Sequence, residues 1–290
     1  MIVVKLNGGL GNQMFQYAAG KALTIKLNTD LKVDVSFFNI KLENKWTQRY
    51  YELDVFSGIK NIISDEDIKP FLDVKNSNWF IRGFRNLGKY KYFYEPEFCY
   101  TEKFFKQKNN TYVEGYWQSE KYFKSIESII HNEFVFKDYS SITNKELANH
   151  ISGVNSVSIH VRRTDYVNEI GLQQHGLCNV EYYQKAVKFL SEKVHEINLF
   201  VFSDDTEWTK HNLSFNFPVT FIDYNKGKES YEDMRLMSLC KHNIIANSSF
   251  SWWAAWLNHN SEKIVIAPTK WFNNKEKNTK DLIPAEWLKM

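Results

Sequence analysis

The stretch VSIHVRRTD (residues 157–165) passes from an apolar run into a cluster of charged side chains, and it begins a regular alternation of predicted strands and helices. Short apolar runs of this kind predict buried strands, and they occupy residues 157–161, 199–202, 219–222, 243–246 and 264–267. Amphipathic segments between them predict helices at residues 180–194, 207–212, 230–240 and 250–257. Such an alternation is typical of an α/β fold, in which helices cover both faces of a parallel sheet.

The N-terminal half begins in the same way and then becomes less regular. A strand is predicted at residues 2–6, a helix at 13–27 and a second strand at 31–35. Residues 40–110 show weak periodicity; a strand at 112–116 and a helix at 119–131 follow. The polar segment 137–153 is typical of a domain boundary. We therefore predict domains at residues 1–150 and 151–272, with a tail at 273–290 that can return to the first domain.

Composition narrows the classes of protein that this chain can belong to. Its 290 residues are 43% hydrophobic and 24% charged, without an apolar run of about 18 residues that would span a bilayer. A net charge of +3, with dispersed Lys and Arg, does not favour nucleic-acid binding. Three scattered cysteines fit neither a disulfide framework nor a zinc site, and the N-terminus turns polar too early for a signal peptide. The expected location is the cytoplasm.

A glycine-rich loop, GGLGNQ (residues 8–13), follows the first predicted strand and opens the first predicted helix. Backbone N–H groups and the positive end of a helix dipole at such a place suit a diphosphate. The spacing is not that of the dinucleotide fingerprint. A turn that only lets the helix and strand pack closely is the alternative.

Two adjacent arginines, Arg162 and Arg163, stand at the end of the strand at 157–161. Neighbouring side chains at a strand end face opposite ways, so one arginine can grip a ligand phosphate while the other pairs with Asp165. An ordinary surface ion pair is the alternative.

Carboxylates and hydroxyls follow two further strands. Asp204 and Asp205 come after the strand at 199–202, where a carboxylate can bind a base edge or a ribose hydroxyl, hold a divalent metal, or cap the next helix. The segment NSSFSWW (residues 247–253) leads into a helix whose first turn offers N–H and hydroxyl groups to an anion; serine capping is the alternative. No Gly-x-Ser-x-Gly, Walker or His-Glu-x-x-His motif is present, which disfavours hydrolase, kinase and zinc-protease functions.

Five segments in order resemble the α-1,2-fucosyltransferases of glycosyltransferase family 11. They are NGGLGNQMFQY (7–17), GYWQSEKYF (115–123), HVRRTDY (160–166), FSDD (202–205) and NSSFSWWAAWL (247–257). The resemblance extends from residue 2 to about residue 272. It implies a GT-B architecture, in which two Rossmann-like domains with parallel sheets face each other across a cleft. The first domain would be on the acceptor side and the second would bind GDP-L-fucose.

The resemblance also implies roles for individual residues. Arg162 would hold the β-phosphate, and Arg162, Asp165 and Glu169 are the catalytic candidates, with the last two as candidate bases. The other expected donor contacts are Gly11, Asn12, Gln13, His160, Asp204, Asn247, Ser248, Ser249 and Phe250. No metal or other cofactor is expected, because Arg162 and the helix N-termini would neutralise the leaving group.

The expected reaction is inverting transfer of L-fucose from GDP-β-L-fucose to the 2-hydroxyl of a terminal β-galactoside. The galactoside is left open between an O-antigen unit, a Lewis-type glycan and a free oligosaccharide, and residues 40–110 are expected to select it. Two alternatives stay open: another GDP-sugar transferase, such as an α-1,6- or protein O-fucosyltransferase, and a non-catalytic carbohydrate- or nucleotide-binding module. Contact with the inner membrane, where lipid-linked acceptors lie, is a further expectation.

Overall fold

The computed structural model describes residues 1–41, 47–59, 62, 68–72, 89–164, 169–274 and 276–290. The chain forms two compact units. Unit 1 comprises Met1–Phe136 and Asn278–Leu282, and unit 2 comprises Lys137–Lys277 and Ile283–Met290.

Unit 1 contains a four-stranded sheet in the order β2-β1-β4-β3. All its strands are parallel: β1 Ile2–Lys5, β2 Leu31–Asp34, β3 Lys91–Tyr94 and β4 Thr111–Glu114. Helix α1, Leu10–Leu27, crosses from β1 to β2, and it packs so closely on β1 that a Cβ at Gly20 would lie 2.3 Å from Cγ2 of Val4. A later helix, α2, spans Glu127–Glu133.

Unit 2 contains a six-stranded parallel sheet in the order β10-β9-β8-β5-β6-β7. The strands are β5 Asn155–Val161, β6 Ile197–Ser203, β7 Val219–Ile222, β8 His242–Ile244, β9 Val265–Ala267 and β10 Leu288–Lys289. The helices are α3 Ile142–Gly153, α4 Glu169–Gln174, α5 Val180–Ser191, α6 Thr206–Asn212, α7 Tyr231–Leu239 and α8 Ser249–Leu257. Both faces are covered, so β5 and β6 are almost wholly buried.

Two parallel-sheet α/β units confirm the predicted fold class. The division at residue 150 would cut α3, whereas the units divide between Phe136 and Lys137, where the polar segment begins. Asn144 of α3 exchanges amide hydrogen bonds of 2.9 and 3.0 Å with Asn225, and this pairing belongs to unit 2. The tail is shared: residues 278–282 count with unit 1, and β10 extends the sheet of unit 2.

Local predictions fail where polar or aromatic residues dominate. Helix α3 and strand β3 lie in segments that were predicted to be irregular, and the helix predicted at 119–131 is replaced by short 3-10 turns that lead into α2. Ser230, which precedes α7, has helical backbone angles, and its side chain makes no capping hydrogen bond. Among the described residues, no helix has the length and apolar character needed to cross a membrane.

Candidate active site

The candidate site lies at the carboxyl edge of the unit 2 sheet, where β5, β6 and β8 end side by side. The chain runs outward from β5 through β6 to β7 and then returns to the other side of β5 with β8. This reversal creates the switch point at which open parallel sheets bind their ligands. Residues 162–164 follow β5, Asp204 and Asp205 follow β6, and the first turn of α8 follows β8.

Asp204 organises the loop that carries the arginines. Its Oδ1 accepts a hydrogen bond from the backbone N–H of Arg163 at 2.8 Å, and its Oδ2 accepts from the N–H and hydroxyl of Thr164 at 3.1 and 2.6 Å. The same Oδ2 lies 3.0 Å from Nη1 of Arg162. Asp204 thus supports the loop that carries both arginines, and its expected contact with the donor stays a prediction.

Arg163 turns away from Arg162, as predicted for neighbours at a strand end. Its Nε lies 3.3 Å from Oδ2 of Asp205, and its guanidinium stacks 3.6 Å from the ring centre of Trp208. Asp205 also caps α6 by accepting from the N–H of Trp208. The partner of Arg163 is thus Asp205, while Asp165, the partner expected from the sequence, lies outside the described residues.

His160 is a buried side chain directly beside these groups. Burial, and then the neighbouring charge of Arg162, lower its pKa to about 3. The ring is therefore neutral near pH 7, and its Nδ1 is buried without a hydrogen-bond partner among the described residues. The ring centre lies 5.7 Å from that of Phe250, so the end of β5 and the first turn of α8 meet here.

Helix α8 directs its N-terminus towards the same edge. The hydroxyl of Ser248 caps the helix by accepting from the N–H of Phe250 at 3.4 Å, and Ser249 is the first helical residue. Asn247 joins two loops to this edge. Its buried amide nitrogen donates to the backbone carbonyls of His175 and Trp271 at 3.0 and 3.1 Å, and its expected contact with the donor stays a prediction.

The glycine loop lies at the corresponding edge of unit 1. Gly11 is in the first turn of α1, and Oδ1 of Asn12 accepts from Nε2 of Gln118 at 2.7 Å. Gln13 is fully buried: its amide donates to the carbonyl of Tyr50 at 2.8 Å and accepts from the N–H of Glu52 at 2.9 Å. The Gln13 side chain thus ties the loop to residues 50–52, and its expected contact with the donor stays a prediction.

The candidate bases cannot be placed around this site. Asp165 lies outside the described residues; Glu169 begins α4, but its side chain is outside the described part of the structure. Among the residues that are described, no group of three His, Cys, Asp or Glu side chains could hold a metal ion.

Sequence reasoning missed two residues near the glycine loop. Arg49 packs on the loop, since a Cβ at Gly9 would lie 3.5 Å from its Nη1. Gln118 reaches Asn12 across 106 positions of sequence. Arg49 lies in the weakly periodic region and no pattern marks it. Gln118 lies within one of the five quoted segments, whose role the sequence left open.

Comparisons of this chain with a protein family, with related sequences and with solved structures agree with one another. The family described as Glycosyl transferase family 11 matches residues 1–290. An alpha-1,2-colitosyltransferase of Escherichia coli is 36% identical, with 100% of this chain and 99% of that protein covered. The O-antigen biosynthesis glycosyltransferase WbnK of Escherichia coli is 35% identical, with 95% and 97% covered. A solved structure of an Arabidopsis thaliana FUT1 mutant in complex with GDP shares the fold, with a TM-score of 0.54, 12% identity and coverage of 91% of this chain and 69% of that one.

Proposed function

From the premise that this chain belongs to glycosyl transferase family 11, we propose that it transfers L-fucose from GDP-β-L-fucose to the 2-hydroxyl of a terminal β-galactoside, forming an α-1,2 linkage. The observation that supports the proposal best is the meeting of Arg162, neutral His160 and the N-terminus of α8 at one sheet edge. A cationic fork and free helical N–H groups together match the charge of a diphosphate. GDP is also the ligand of the Arabidopsis structure.

Transfer with inversion is a single in-line displacement. The 2-hydroxyl oxygen of galactose bonds to the anomeric carbon of fucose while the bond from that carbon to the β-phosphate oxygen breaks, and the electron pair leaves with GDP. A carboxylate takes the hydroxyl proton, and Asp165 and Glu169 stay the candidates for this step. Negative charge grows on the β-phosphate, so Arg162 and the first turn of α8 stabilise the transition state more than the bound donor.

Other donor contacts follow from the same geometry. We assign Ser248, Ser249 and Phe250 to the diphosphate, and His160 to a hydrogen bond that its buried Nδ1 makes with the donor. In unit 1, Gly11 and Asn12 contact the donor through the glycine loop. Arg162 and the helix termini neutralise the negative charge of the departing GDP, as a metal ion does in other transferases. Dialysis against EDTA should therefore leave the rate within about twofold of the untreated enzyme.

The decisive experiment mixes the purified chain with GDP-fucose and lactose, measures GDP release, and determines the linkage of the product. Appearance of a 2-fucosylated galactose supports the proposal. Binding of GDP-fucose without release for any galactoside indicates a binding module, and a 6-linked or protein-linked product indicates another transferase.

Similarity to a colitosyltransferase gives a second donor to test. Colitose lacks the 3-hydroxyl of fucose, so a site that hydrogen-bonds this hydroxyl rejects colitose, whereas an apolar site does not. Because the proposed donor is GDP-fucose, we expect a site of the first kind and a higher kcat/KM with GDP-fucose than with GDP-colitose. A reversed order assigns the chain to colitose transfer.

A further inference from the structure

The turn Gly115–Ser119, which follows β4, lies in the segment whose role the sequence left open. Its central residue, Trp117, has a φ of 55°, in the left-handed region that bulky residues rarely adopt. Backbone strain of this kind persists only where the surroundings hold it, and such positions cluster at functional sites.

Three sets of contacts hold the turn. The carboxylate of Glu95 accepts hydrogen bonds from the backbone N–H groups of Tyr116 and Trp117 at 2.7 and 3.0 Å. Gly115 permits this approach, because a Cβ there would lie 2.4 Å from the Cβ of Glu95. The indole of Trp117 is fully buried, with its ring centre 4.7 Å from that of Phe104. The direction in which the next residue leaves the turn is therefore fixed.

That next residue is Gln118, and its amide meets Asn12. The bond from Nε2 of Gln118 to Oδ1 of Asn12, at 2.7 Å, is the only hydrogen bond of the Gln118 side chain within the described residues. Its Oε1 is buried without a partner there. A glutamine that served stability alone would be expected to satisfy both ends of its amide.

Gly8, whose φ is 74°, leaves room for the Asn12 amide, because a Cβ there would lie 2.4 Å from Nδ2 of Asn12. The bond from Gln118 directs Oδ1 of Asn12 towards Gln118, and Nδ2 lies beside the glycine loop. The orientation matters because phosphate and sugar ring oxygens accept hydrogen bonds, so only the nitrogen end of the amide can bind them directly.

We infer that Gln118 is a positioning residue that fixes the amide of Asn12 so that its nitrogen is the group presented to the sugar nucleotide. The inference rests on the proposed function, since it takes Asn12 as a donor contact. Within unit 1 it gives the Gly115–Ser119 turn a role: Glu95 and Trp117 set the turn, the turn aims Gln118, and Gln118 orients Asn12.

The test is a double-mutant cycle with Gln118→Ala, Asn12→Ala and the double variant, measuring kcat and the KM for GDP-fucose. We expect Gln118→Ala to lower kcat/KM by about 10- to 100-fold, with little change in the thermal midpoint. The double variant should be no worse than Asn12→Ala, because Gln118 acts through Asn12. Losses that multiply, or a Gln118→Ala variant within about twofold of wild type, overturn the inference.

Two further variants separate orientation from folding. Asn12→Asp keeps an acceptor for Gln118 but replaces the nitrogen with oxygen, so it should lose as much activity as Asn12→Ala. Gln107→Ala is the matched control: this partly buried glutamine of unit 1 donates to the carbonyl of Lys103 at 2.9 Å, and its loss should leave the kinetics unchanged. Full activity of Asn12→Asp contradicts the inferred orientation.

Calorimetric titration of all variants with GDP-fucose measures the same coupling without an acceptor. Failure of the proposed function appears in the wild-type chain, as absence of GDP release with every galactoside. Failure of the positioning inference appears in the variants, as independent effects of Asn12 and Gln118 on donor binding.

Discussion

Arg162 and Arg163 are adjacent in sequence and have the same side chain, yet the structure gives them different surroundings. Arg162 lies beside neutral His160 and Asp204, whereas Arg163 is stacked on Trp208 and paired with Asp205. We therefore predict that Arg162→Ala lowers kcat by about 10²- to 10³-fold and leaves the fold intact. Arg163→Ala should lower the thermal midpoint more than Arg162→Ala does, and the rate less. Kinetics and thermal unfolding of the two variants check this, and equal profiles would contradict the division of roles.

Asp233, in the first turn of α7, makes stability depend on pH. Burial raises the pKa of this carboxyl group to about 7, the amide of Asn225 lowers it, and the charge of Glu232 raises it. The unfolded group titrates near pH 3.9, so between about pH 4 and 7 the folded chain keeps a proton that the unfolded chain has released. The free energy of unfolding should therefore fall as the pH rises through this range. Urea midpoints of wild type and Asp233→Asn at about pH 5 and pH 8 test this, and parallel curves would reject it.

At the scale of elements, two helical glycines differ in how closely other atoms pack around them. A methyl group at Gly20 of α1 would lie 2.3 Å from Cγ2 of Val4, so helix and strand would have to separate. Gly20→Ala should thus destabilise the chain by about 1–3 kcal/mol. Gly153, at the end of α3, has no atom within 4 Å of an added Cβ, and Gly153→Ala should stabilise by about 0.4–1 kcal/mol. Denaturant unfolding of both variants provides the comparison. A neutral Gly20→Ala would mean that α1 is not held against β1.

At the scale of the whole molecule, the sequence predicts the elements that depend on local hydrophobic periodicity. Strands β5 to β9 of unit 2 and the polar residues that follow β5, β6 and β8 could be predicted, because a buried parallel strand is a continuous apolar run and its carboxyl end is fixed by chain direction. The exposed two-residue strand β10 was not predicted. Side-chain partners could not be predicted. Asp204 and Gln13 hydrogen-bond protein groups 37 to 41 positions away, and nothing in the sequence around them marks these partners. Such pairings depend on how loops pack after the sheet has formed, and no local pattern encodes that.

The assignment of donor binding to unit 2 leads to a prediction for the complete chain. GDP carries the diphosphate but not the fucose of the donor, so it engages the groups proposed for the leaving group and leaves the fucose contacts unused. Amide hydrogen exchange should therefore slow on GDP binding in the peptide that covers residues 247–252, at the N-terminus of α8, and in the peptide that covers residues 158–164, which carries Arg162. Arg162→Ala should abolish this protection, whereas Gln107→Ala, in unit 1 and far from the proposed contacts in sequence, should retain it. Protection confined to peptides of unit 1 would move the nucleotide site to the glycine loop and reverse the roles of the two units.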